Sequence, residues 1–157
     1  MKTSALTFIA ALVAMPAFAH VVVVPPQSAA GASQVYTVRV HNEEKVATTS
    51  IELEVPSGIT VASVAPVKAG AFTTAKTGDR INKVTWEMNI PSNKYVELAF
   101  TATNPSKAME VQWVVHQRMA DGTVLDWSDK PGAHGRASTT KILAAPAAAA
   151  APATPAK

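Results

Sequence analysis

One histidine of this chain stands where a proteolytic cut would hand it a second donor atom. Residues 15–25 read M-P-A-F-A-H-V-V-V-V-P. Ala17 and Ala19 occupy the −3 and −1 positions of a signal-peptidase site, and a cut after Ala19 makes His20 the first residue. A free α-amine has an ordinary pKa of about 8 and an imidazole of about 6.5, so both are available bases near neutral pH. The amine and Nδ1 of one residue close a six-membered chelate ring. Two nitrogens in a plane suit a tetragonal ion, and Cu(II) leads the divalent affinity order. One chelating residue is not a full site, and a carboxylate or a second imidazole must complete it.

Donors of that kind are few. The other histidines are His41, His116 and His134, and two adjacent carboxylates, Glu43 and Glu44, follow the "VHN" segment. His41 lies two residues from Glu43, so in an extended chain both face one side. His116 has the strand phase opposite to Val111, Trp113 and Val115, and His134 sits in the Gly-containing stretch "PGAHGRAS". Cysteine is absent, which removes thiolate metal sites, thiol catalysis and redox exchange. Met88, Met109 and Met119 are scattered, so no thioether cluster for Cu(I) is expected. No G-x-S-x-G, H-E-x-x-H or P-loop pattern occurs, and no hydrolase is expected.

The ends of the chain frame one domain. Lys2, the apolar run at residues 5–15 and the small residues before His20 read as a cleaved signal peptide over residues 1–19. The run is too short to span a bilayer, and no second stretch of that length follows, so no membrane span is expected after cleavage. Residues 144–157 are almost wholly Ala and Pro, a composition that reads as a disordered, extended tail. Without Lys2, thirteen Lys and Arg stand against eleven Asp and Glu. The charges are dispersed, and nucleic acid is not an expected partner.

Residues 20–143 carry the elements that must position these donors. Apolar residues alternate in 34–42, 50–55, 83–88, 95–103 and 111–119, and Asp121-Gly122 turns the chain into 123–127. Residues 139–143 read as a last strand. No window outside the signal peptide has a helical stripe. The fold class expected is all-β, an antiparallel two-layer β-sandwich of immunoglobulin-like or cupredoxin-like kind. Val21 to Val24 do not alternate and end at Pro25-Pro26, which reads as a short strand buried on both faces.

The ordered set of a cut before "HVVVV", the strand end "VRVHNEE", the segment "TTSIELEVPSG" and the hairpin "DGTVLDW" resembles a known family. It resembles the YcnI-type domain, an exported bacterial copper-binding domain, over residues 20–143. The resemblance implies a mono-histidine brace: amine and imidazole from His20, an oxygen from Glu43, and Trp127 beside the ion. Two features depart from the family pattern. His41 stands where a proline is common, and Glu44 directly follows Glu43. An indole N–H has no lone pair to give a metal, so Trp127 would act as a wall or π-face rather than as an ordinary ligand.

The function expected is a periplasmic copper-binding protein in copper trafficking or homeostasis, loaded with Cu(II) and not an enzyme. Its implied partners are the copper ion, other periplasmic copper chaperones or an oxidase assembly factor. Two alternatives stand beside this one: a copper-dependent oxidative enzyme with an N-terminal histidine brace, and a metal-free immunoglobulin-like interaction module. Intact-mass measurement of the exported protein is expected to give residues 20–157. A mature chain beginning elsewhere would remove the amine–imidazole chelate.

Overall fold

The computed structural model describes residues 21–145. His20 and the proposed signal peptide lie outside the described residues, as does the tail from Pro146. Eleven strands are described, and no helix is among them. They are β1 (Val22–Val24), β2 (Gln27–Ala29), β3 (Ser33–Asn42), β4 (Thr48–Glu54), β5 (Thr60–Val64), β6 (Gly70–Thr77), β7 (Arg80–Ile90), β8 (Lys94–Thr103), β9 (Met109–Met119), β10 (Val124–Trp127) and β11 (Ser138–Leu143). One sheet has the order β1-β3-β8-β5. The other has the order β2-β11-β9-β4-β7-β6, with β10 also paired to β9.

Alternation explains the layering. In β3, Tyr36, Val38 and Val40 turn inward. Ile51 and Leu53 of β4, Leu98 and Phe100 of β8, and Val111, Trp113 and Val115 of β9 meet them from both sheets. Tyr36, Phe100 and Trp113 form the centre, with ring centroids 4.9 to 5.7 Å apart. Such aromatic pairs contribute about 0.5–1.5 kcal/mol each beyond their burial. At the hairpin from β9 to β10, Gly122 takes φ +89°, the left-handed region a side chain disfavours, and Thr123 N–H donates to Asp121 Oδ1 at 2.9 Å.

Two sequence expectations change. Val21 and Val23 are buried, but Val22 is 38% exposed and Val24 is only half-buried. The first strand is therefore an edge with one wet face, not a doubly buried core strand. Its valine run hid the alternation, because the outward positions carry the same residue as the inward ones. The second change is that β2, β5 and β6 are additional strands. Every side chain of β6 is exposed, so no two-residue hydrophobic period marked it.

Several buried polar residues, Asn42, Thr48 and Asn104 among them, sit where strands begin or end. Tyr36 O–H donates to Asn104 Oδ1 at 2.6 Å, and Asn104 Nδ2 donates to Ser28 Oγ and to Ala29 O at 2.7 and 2.8 Å. Burial pushes the Tyr36 phenol above its ordinary 10.0, against the opposing pull of its hydrogen bonds with Ser28 and Asn104. A phenol whose folded pKa lies above its unfolded one keeps its proton longer in the native state. Its stabilisation is full below about pH 10 and is lost as pH rises through the folded value. Tyr36→Phe is expected to cost about 1–2 kcal/mol at neutral pH by urea unfolding, by leaving Asn104 Oδ1 without its donor. The variant should also lack that part of the alkaline loss, so the two curves approach each other above pH 10. A constant offset would show that Tyr36 ionises normally.

Candidate metal centre

Glu43 is placed by the residue before it. Asn42 continues the inward phase of β3 and is fully buried. Its Nδ2 donates to Val46 O and Ile90 O, both at 2.9 Å, and its Oδ1 accepts from the Glu44 N–H at 3.1 Å. The Asn42 carbonyl accepts from the Asn93 N–H at 2.7 Å. This anchor fixes the end of β3 and throws the two flanking side chains outward. There His41 Nδ1 lies 3.1 Å from Glu43 Oε1, with the two side chains 44% and 37% exposed. His41 pairs across the sheet with Tyr95, which is 72% exposed.

Trp127 ends β10 and is 3% exposed. Its indole N–H donates to Gln117 Oε1 at 3.2 Å. Gln117 is buried on β9, and its Nε2 donates to Thr48 Oγ1 at 2.7 Å. Thr48 begins β4, directly after the loop that carries Glu43 and Glu44. A relay of buried side chains thus joins Trp127 to that loop. With its N–H given to Gln117, the Trp127 indole has no lone pair to offer a metal.

The Trp127 ring is seated on Gly135. The two residues form a bridge, Ser128 N–H donates to Gly135 O at 3.0 Å, and a Cβ on Gly135 would stand 2.5 Å from two ring carbons. His134 lies edge-on, its ring centroid 4.9 Å from that of Trp127 at 75°. The remaining histidine is committed elsewhere. His116 Nε2 is 2.8 Å from Glu54 Oε1 and its Nδ1 is 3.0 Å from Asp126 Oδ1. The Nδ1 contact is close but off the hydrogen-bond line. Both ring nitrogens face carboxylates from opposite sides, so His116 ties β4, β9 and β10 together and offers no open nitrogen.

The first strand relates these two groups. It runs antiparallel to β3, with Val22 opposite Arg39 and Val24 opposite Thr37. Its N-terminal end is therefore beside the end of β3 that leads to His41 and Glu43. On its other side Val23 N–H donates to Ser138 Oγ at 2.9 Å, Pro25 O accepts from Thr140 Oγ1 at 3.1 Å, and Pro26 O accepts from Lys141 N–H at 2.9 Å. The chain thus advances along β11, and traced backward from Val23 it heads toward Gly135 and Trp127. Glu43 follows a strand of one sheet and Trp127 ends a strand of the other, and β1 is bonded to both sheets. Among the described residues no three His, Cys, Asp or Glu side chains converge as a metal cluster. A site here needs donors beyond these.

Comparison with known proteins assigns the family. A profile described as a domain of unknown function, DUF1775, matches residues 20–151. This chain belongs to the DUF1775 family. The YcnI-like kinship read from the motifs agrees with a relative in Bacillus subtilis (strain 168) named copper-binding protein CutI. That relative is 34% identical over 133 residues, which are 83% of this chain and 65% of CutI. This DUF1775 chain therefore spans less than two thirds of that relative's length. An uncharacterized protein from Nocardia farcinica with an immunoglobulin-like fold superposes with a TM-score of 0.69 at 22% identity, covering 80% of this chain and 99% of that one. A non-cellulosomal cohesin from Archaeoglobus fulgidus gives 0.50 at 14% identity, covering 78% and 89%. At such identities the superpositions establish the sandwich fold, of immunoglobulin-like kind. None of these neighbours bears an enzyme's name.

Sequence reasoning missed Gln117, Gly135 and Asn42. Gln117 and Asn42 each carried a signal: a polar residue on the inward phase of a strand, in register with Val115 and with Val38 and Val40. Gly135 carried none, because the ring that excludes its Cβ comes from another part of the chain. Gly135→Ala is expected to cost about 1–3 kcal/mol through overpacking and to move the Trp127 ring. Thermal unfolding and tryptophan emission would read this. Unchanged stability and an unchanged spectrum would mean that the ring is not seated there.

Proposed function

We propose that this DUF1775 chain is an exported, periplasmic copper-binding protein that serves copper trafficking or homeostasis. In this reading the cut after Ala19 frees His20, whose amine and imidazole chelate Cu(II). Glu43 adds a carboxylate oxygen, and Trp127 walls the ion from water. The observation that carries the reading is the course of β1. Its N-terminal end leads toward His41 and Glu43 along one neighbour and toward Gly135 and Trp127 along the other. Residue 20 is bonded to Val21, which is only 2% exposed and directly precedes β1.

The chemistry of the donors fits. Nitrogen and carboxylate oxygen suit Cu(II), whereas Cu(I) favours thiolate and thioether ligands. There is no cysteine, and Met119 Sδ is buried against Thr48 Oγ1 at 3.7 Å. The copper-binding name of the Bacillus relative supports the same cargo. Three protein donors near a chain terminus suit an ion that is passed on, and periplasmic copper chaperones or an oxidase assembly factor are the partner class proposed.

Protein purified from the periplasm is expected to bind one Cu(II) with nitrogen-split EPR. The signal should vanish in His20→Ala and in a variant with an extra Gly before His20. Glu43→Gln should weaken binding about tenfold or more, roughly 1.4 kcal/mol. Equal binding by all four proteins would remove the brace and leave the interaction-module reading.

A further inference from the structure

The proposed set of His20, Glu43 and Trp127 leaves His41 without a role. The structure gives it one partner of consequence. We propose that His41 is a positioning residue for Glu43: it holds one carboxylate oxygen by a hydrogen bond and leaves the other to face the ion. This inference rests on the reading of Glu43 as a copper ligand.

A glutamate in an exposed loop samples many rotamers, and fixing them opposes binding. Here the backbone is already fixed, because Asn42 is buried and bonded to Val46, Ile90 and the Glu44 N–H. What remains free is the Glu43 side chain. His41, on the same face, reaches it with Nδ1 at 3.1 Å from Oε1. An ionised carboxylate only accepts, so the proton of this bond is on Nδ1. The bond engages Oε1 and directs metal binding to Oε2. Hydrogen bonds of this kind, one shell out from the ion, commonly change metal affinity by about 10–100-fold.

His41 is not placed as a ligand to the same ion. The two ring nitrogens point away from each other, so a ring that turns Nδ1 to Glu43 turns Nε2 away from that carboxylate. Its cross-strand neighbour Tyr95 is 72% exposed, so nothing there pushes Nε2 back toward Glu43. Asparagine can set its side-chain N–H close to where Nδ1 stands, and alanine cannot. The pair of substitutions therefore separates a donor from mere bulk.

The test has a metal-free and a copper arm, both on the mature protein. Without metal, ¹⁵N spectra of the imidazoles should show His41 protonated on Nδ1, with that resonance moving in Glu43→Gln. With Cu(II), His41→Ala should bind about 10–100-fold more weakly, and His41→Asn should recover most of the loss. EPR of both variants should keep the same nitrogen couplings as the unmodified protein. Far-UV circular dichroism and thermal unfolding should be unchanged, because His41 is on the surface. Unaltered affinity in His41→Ala would overturn the proposal, as would the loss of one nitrogen coupling, which would make His41 a ligand. Copper binding indifferent to Glu43→Gln would instead bring down the ligand reading itself. The metal-free spectra would then still decide whether the His41–Glu43 bond exists.

Discussion

The amide of Val23 goes to the opposite sheet. Val23 is aligned with Val38 in β3, yet its N–H is given to Ser138 Oγ of β11. One short strand is thereby held by both layers of the sandwich, and everything proposed for this protein depends on that crossing. A first strand paired only to β3 would have no course along β11 in the direction of Gly135. A first strand lying only on β11 would have no course along β3 in the direction of His41. Pro25 and Pro26 extend the arrangement, since their carbonyls accept from Thr140 and Lys141 while proline itself has no N–H to satisfy.

Polar groups inside the sandwich do the positioning that apolar packing cannot. Valines and leucines fill volume without direction, whereas a buried amide must find its partners or cost stability. Gln117 takes the Trp127 indole on one side and gives to Thr48 on the other. Asn42 holds two carbonyls and one amide at the end of β3. Asn104 does the same work between Tyr36 and the segment around β2. Asn42 and Asn104 lie where a strand gives way to a loop, and Gln117, inside β9, reaches the start of β4 through Thr48, so the loops inherit the rigidity of the core.

The sandwich was legible because alternation in β3, β4, β8 and β9 maps directly onto burial, and the turn at Asp121-Gly122 announced its hairpin. β6 was not legible, since all its side chains are exposed and it is a strand only through its pairing with β7. The valine run of β1 failed for the opposite reason: identical residues on both faces erase the pattern. At the site, Glu43 and Trp127 entered through motif resemblance, and the structure adds how each is fixed. His41 was suggested by its spacing from Glu43 but not by any partner, because a contact between exposed side chains leaves no period. Gly135 depends on a ring eight residues away in the chain, and no local pattern reports that.

The anchored start of β1 has a thermodynamic side. A free chain terminus that must be ordered around an ion gives up backbone freedom of about 1–2 kcal/mol per residue at the moment of binding. Here Val21 and Val23 are buried, and the sandwich has already fixed them. That loss of entropy falls on folding rather than on capture. In the proposed site, His20 would stand at an end whose next residues are already ordered. Affinity at such a site is set by the last residue to be ordered, not by the whole segment.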